Sequence, residues 1–158
     1  MHPITVSIDV PQSREDVYAY LDVLANHRRF TDHMMRNWRL EGPERGVGGK
    51  ARVDAVVGGR TDPIEIEVIE AEPPLRNVER NVGANGRRVG TGTYTLEELP
   101  DGSTRVTFEY AWQLVPLSER LLAPLVSRTM RRALTTAMER LAGQLRADPV
   151  VSRGTTPG

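Results

Sequence analysis

Ile4, Val6, Ile8 and Val10 alternate with Thr5, Ser7 and Asp9, the two-residue period of a strand that buries one face. Pro11 ends it, and Ser13 stands where a helix N-cap is needed, three residues before Asp16. Val17, Tyr20, Leu21 and Leu24 recur at helical spacing, and a second short helix is predicted from Asn26 to Met35, with His27, Phe30 and Met34 to one side. Gly42, Pro43, Gly46, Gly48 and Gly49 break the chain, after which the period returns to two. Ala51, Val53, Ala55 and Val57 form one apolar row; Gly58-Gly59 turns the chain; Ile64, Ile66 and Val68 form the next. Val78, Arg80 and Val82 share one parity, while Asn77, Glu79 and Asn81 share the other. Asn85-Gly86 is the strongest hairpin signal in the chain. A strand is predicted from Val89 to Leu99, and Val106, Phe108, Tyr110, Trp112 and Leu114 mark another beyond the turn at Pro100-Asp101-Gly102-Ser103.

A last helix is predicted from a cap at Ser118 to about Leu145, with Val126, Met130, Leu134, Ala137, Leu141 and Leu145 as its apolar stripe. Pro124 falls inside that span and should kink it unless the helix starts later. The predicted order is one strand, two short helices, six strands joined by tight turns, then one long helix. That is an α+β domain over residues 1–147, an antiparallel meander whose concave face takes the helix. Residues 148–158 carry no periodicity and are expected to form a disordered tail.

Composition narrows the function by exclusion. The chain has 158 residues, 21 basic and 21 acidic side chains and no cysteine. A neutral net charge argues against a nucleic-acid-binding domain. Without cysteine there is no disulfide, zinc–cysteine site, iron–sulfur cluster or thiol nucleophile. No secretory signal is visible, and the apolar run Leu121–Val126 falls far short of the ~20 residues of a membrane span, so a cytoplasmic protein is expected.

At this point the chain resembles the SRPBCC superfamily, the START-like helix-grip fold, and within it the polyketide cyclase/dehydrase-like group. Ile8-Asp9-Val10-Pro11 with Ser13, Val17 and Tyr20-Leu21 carry the resemblance. So do Glu41-Gly42-Pro43 before Gly48-Gly49, Glu70-Ala71-Glu72-Pro73-Pro74, Gly92-Thr93-Tyr94 and Asp101-Gly102-Ser103-Thr104-Arg105-Val106, with the long helix after them. These motifs are turns and strand ends. The resemblance implies a curved sheet of about seven strands wrapped around the C-terminal helix. It also implies a cavity between them for a lipid, polyketide or quinone-like molecule, and leaves the ligand open. No cofactor is expected.

If the apolar parity of each strand faces the helix, Gly90, Gly92, Tyr94, Leu96, Phe108, Tyr110 and Trp112 point inward. Arg80 then stands among apolar groups with no inward carboxylate beside it, and must meet water, a carbonyl or a ligand. Alternatively it reaches the rim, or the parity slips at a bulge. Ala51, Ala55, Gly90 and Gly92 either leave room for a ligand or let the helix approach. In the family, Phe30, Met34, Met35 and Trp38 sit where a lid covers the cavity mouth. The candidate ligand-binding set is Arg80, Tyr94, Tyr110, Trp112, Phe30, Met34, Trp38, Phe108, Met130 and Leu134.

No metal site is expected, because nothing matches HExxH and His27 and His33 lie on different helix faces. Surface positions are expected for both histidines, a general base near the mouth being the alternative. Gly46-Val47-Gly48-Gly49-Lys50 lacks the spacing and hydroxyl of a phosphate loop. Glu65 and Glu67 should face solvent, and Arg87-Arg88 and Arg131-Arg132 are read as surface charge. The function expected is binding of a lipophilic small molecule by a monomer or homodimer with no integral membrane segment. The alternatives are a cyclase/aromatase-like enzyme using Arg80, Tyr94 and Tyr110, and a protein adaptor with a collapsed cavity and an exposed Phe30–Met34–Trp38 patch.

Overall fold

The computed structural model describes residues 1–147, so the predicted tail lies outside the described residues. The elements are β1 (Ile4–Val10), α1 (Arg14–Leu21), α2 (Leu24–Thr31), β2 (Met35–Glu41), β3 (Lys50–Val57), β4 (Arg60–Glu72), β5 (Arg76–Gly83), β6 (Arg88–Glu98), β7 (Thr104–Leu114), α3 (Leu117–Leu121) and α4 (Ala123–Ala147). The seven strands form one antiparallel sheet in the order β1-β7-β6-β5-β4-β3-β2. Strands β2 to β7 are the predicted meander, and β1 closes on β7 at the far edge. The pair α1–α2 therefore carries the chain from one edge of the sheet to the other.

Local chemistry sets these elements. Ser13 caps α1 by accepting from the Asp16 amide at 3.2 Å. Its C-terminal carbonyls are met from α2: Asn26 Nδ2 donates to Tyr20 O, and His27 Nε2 lies 2.7 Å from Leu21 O. The second helix stops at Thr31, earlier than the spacing predicts, and the chain re-forms as strand β2. No alternation marks β2 because its pairing with β3 shifts between Arg36 and Arg39, around a positive φ at Asn37. The predicted last helix is two helices. Leu122 caps α3, and α4 starts at Ala123, so Pro124 falls in the first turn, where its missing N–H is not needed.

The core is split. The larger cluster packs β1, β6 and β7 against α1, α2 and the C-terminal half of α4, through Leu134, Ala137, Met138, Leu141, Ala142 and Leu145. A smaller one holds Leu24, Ala51, Val53 and Ile66. The N-terminal half of α4, from Ala123 to Ala133, contributes no fully buried side chain. Helix and sheet thus meet firmly at one end and stand apart at the other.

Gly90 and Gly92 leave room for neither helix nor ligand. A Cβ on Gly90 would come within 2.4 Å of the Tyr110 hydroxyl oxygen, and one on Gly92 within 2.7 Å of Phe108 Cζ. Their missing side chains let rings of β7 lie flat over β6. Gly92→Ala should therefore destabilise the protein by about 1–3 kcal/mol through overpacking. Phe108→Leu in the same chain should return part of that loss, as read by urea denaturation. Unchanged stability in Gly92→Ala would place the Phe108 ring elsewhere.

A candidate ligand cavity between sheet and helix

Where α4 leaves the sheet, a cavity of about 580 Å³ remains, within the range of small-molecule sites. Its walls are mostly apolar. Tyr94, Phe108, Tyr110 and Trp112 line it from the sheet, and Met130 and Leu134 line it from α4. Met34, Met35 and Trp38 line it from β2 and the residue before it. Eight of the ten predicted residues are thus brought together. The exceptions are Phe30 and Arg80, and each corrects an expectation.

Phe30 is fully buried in the larger core, with its ring 5.2 Å from that of His27. It is core rather than lid. Met34 is buried too, so the exposed patch and collapsed cavity expected of an adaptor are both absent from the described residues. Trp38 belongs to a strand and packs against the smaller cluster.

Arg80 is on the outer face, half exposed and 3.2 Å from Glu67. Register shows why. Residues paired across a ladder share a face. Asn77, Glu79 and Asn81 pair with Tyr94, Gly92 and Gly90, all inward, so β5 turns its polar parity to the cavity. Val78 is buried on the outer face, between its partners Glu70 and Thr93. The inner surface therefore carries a carboxylate, Glu79, where none was expected.

Glu79 does not stand alone. Its Oε1 lies 3.1 Å from His27 Nδ1, and both side chains are buried. The expected surface position of His27 is thus corrected, while His33 is half-buried, 2.9 Å from the carbonyl of Ala133 on α4. A carbonyl only accepts, so His27 Nε2 must carry a proton toward Leu21 O. Burial alone would favour the neutral ring. The Glu79 charge, the Leu21 carbonyl at the end of α1 and nearby Asp22 outweigh it and raise the His27 pKa above its ordinary value. Tyr94 sits edge-on to His27 at 5.6 Å. Burial, with Glu79 nearby, pushes its phenol well above the usual range, so it stays protonated at neutral pH. Glu79, Asn81 and Tyr94 make a polar floor in a chamber whose walls are mostly apolar.

A second charged group lines the cavity two residues along the ladder from Asn81 and Gly90. Arg88, expected as surface charge, is partly buried and bridges Asp62 on β4 and Glu119 on α3, all three lining the cavity. Its Nε donates to Glu119 Oε2 at 2.9 Å. Those bonds hold its pKa above the ordinary arginine value. Burial pushes the nearby Tyr110 phenol up to about 12. This bridge fastens α3 to the sheet.

A curved antiparallel sheet, a long helix held in its grip and a chamber between them define a START-like helix-grip protein. The chain belongs to the polyketide cyclase/dehydrase and lipid transport family, whose model matches residues 1–146. Solved structures share the fold at low identity. A Thermus thermophilus protein is 20% identical with a TM-score of 0.72, over 92% of this chain and 98% of that one. A START superfamily protein from Mycobacterium smegmatis is 13% identical with a TM-score of 0.72, over 93% and 99%. A conserved Geobacillus kaustophilus protein is 17% identical with a TM-score of 0.62, over 90% and 97%. No curated protein matches the sequence at a significant level.

The raised His27 pKa has a consequence with a definite sign. The group binds its proton more tightly folded than unfolded. Its contribution is full below about pH 6.5, the unfolded value, and is lost as pH rises through the folded pKa. In Glu79→Gln, neutral His27 still serves Leu21 and the counter-charge is gone. Wild type should be more stable at about pH 6 than at about pH 8.5, and Glu79→Gln should show little of that difference. Denaturant titration at the two pH values checks this, and equal pH dependence in both proteins would contradict it.

Proposed function

We propose that this protein binds and carries, or sequesters, a lipophilic small molecule that has one polar end. The observation behind the reading is the contrast within a single chamber, whose apolar walls lead to a floor of Glu79, Asn81 and Tyr94. A few polar groups in an apolar pocket fix a ligand's orientation, while the walls supply affinity through buried area. The ligand's tail would lie along Met34, Trp38, Phe108 and Met130, and its polar end would meet Asn81 and Glu79. Tyr110, Trp112 and Leu134 would complete the apolar contacts.

A second reading, ring closure of a poly-ketone in the same chamber, loses Arg80 as its polarising cation. It is favoured by a different placement: a carboxylate, Glu79, beside a protonated phenol, Tyr94. Such a pair could remove a proton and stabilise the resulting enolate.

Native mass spectrometry after incubation with a bacterial lipid extract separates these readings. A discrete added mass is expected on wild type, reduced about tenfold in Asn81→Leu if one buried hydrogen bond is lost. An added molecule that has lost water on wild type but not on Glu79→Gln would move the assignment to ring closure. No adduct on either protein would contradict both.

A further inference from the structure

Eight large apolar side chains are exposed among the described residues, and five of them, Leu114, Leu117, Leu121, Leu122 and Leu125, fall at the end of β7, on α3 and at the start of α4. Leu117 and Leu121 are one turn apart on α3, exposed at 69% and 75%. Leu122 and Leu125 are exposed and also line the cavity, so this surface is continuous with the chamber wall. Charge there is one-sided. Glu119 is the only carboxylate between Glu109 and Glu139, and Arg88 already holds it. Arg120, Arg128, Arg131 and Arg132 are all exposed in the same stretch, in a chain whose net charge is zero. Leu125, Arg128 and Arg132 run along one side of α4 at helical spacing.

We infer that α3 and the first turns of α4 dock on an anionic lipid bilayer. Exposed leucines suit the boundary between headgroups and acyl chains, and the arginines suit lipid phosphates. No helix among the described residues is long and apolar enough to cross a membrane, so the contact is one of docking, not spanning. A lipid surface fits better than a protein partner, because two of the outward leucines, Leu122 and Leu125, also wall the chamber. If the chamber carries a lipophile, as proposed above, cargo would pass from cavity to bilayer without crossing water.

The test is flotation of the full chain with vesicles of phosphatidylcholine, alone or with about one-third phosphatidylglycerol. Wild type should float with the anionic vesicles, and less as salt rises. Leu117→Ser/Leu121→Ser, neither of which lines the chamber, should lower the bound fraction about tenfold or more. Arg128→Glu/Arg132→Glu should remove the preference for phosphatidylglycerol. The serine variant should keep its native mass-spectrometry adduct, so failure to dock is read apart from failure to bind cargo. Three outcomes would overturn the inference: no flotation of wild type, equal flotation of the serine variant, or a wild-type dimer in sedimentation that the serine variant splits. The last would assign the leucines to a second copy of this chain.

Discussion

A carboxylate on the inner face of a curved sheet can stay charged only with a counter-charge beside it, and Glu79 meets His27 from an element far away in sequence. Much of the architecture follows from that contact. His27 reaches the middle strand from α2, so the helix pair must cross the end of the sheet. Its other nitrogen serves the last carbonyl of α1, fixing one helix against the next. One buried imidazole thus ties β5, α2 and α1 together. Breaking a pair of this kind by removing one partner commonly costs about 3–5 kcal/mol, although a histidine that can shed its proton softens the loss.

The same contact explains why the sheet and helix do not close completely. An apolar side chain packed onto Glu79, Asn81 and Tyr94 would desolvate polar groups without satisfying them. The buried stripe of α4 therefore starts only at Leu134, and before it the helix stands away from the sheet. Further along the same ladder, Arg88 holds α3 through Glu119 at the wall of the chamber. The result is mostly apolar walls with a polar floor and a charged bridge.

The fold was legible because alternation and turn chemistry agree along most of the sheet, and the turn pairs mark where strands reverse. Strand β2 was hidden by its bulge at Asn37, which breaks the two-residue period. The apolar cavity residues of β6 and β7 were legible from parity, whereas the inward face of β5 was not. On β5 the valines suggested the wrong face, since Val78 and Val82 lie on the outer side, where Val78 is buried. The signal that corrects it was in the chain. A two-residue turn at Asn85-Gly86 pairs Asn81 with Gly90, and an inward Gly90 then forces Asn81 and Glu79 inward. Nothing comparable announced Arg88. Its partners are 26 and 31 residues away, and only the closed fold brings them to it.

The central claim is that the space between sheet and helix is a working chamber that admits an apolar molecule. Titration with the neutral fluorophore N-phenyl-1-naphthylamine, on wild type and on Ala55→Phe, tests it most directly. Ala55 lines the chamber from β3, and a ring there would occupy it. The account predicts saturable, one-to-one binding with blue-shifted emission on wild type. It predicts loss of that binding in Ala55→Phe, with the circular dichroism spectrum unchanged. No saturable binding on wild type, or undiminished binding on a folded Ala55→Phe, would contradict it.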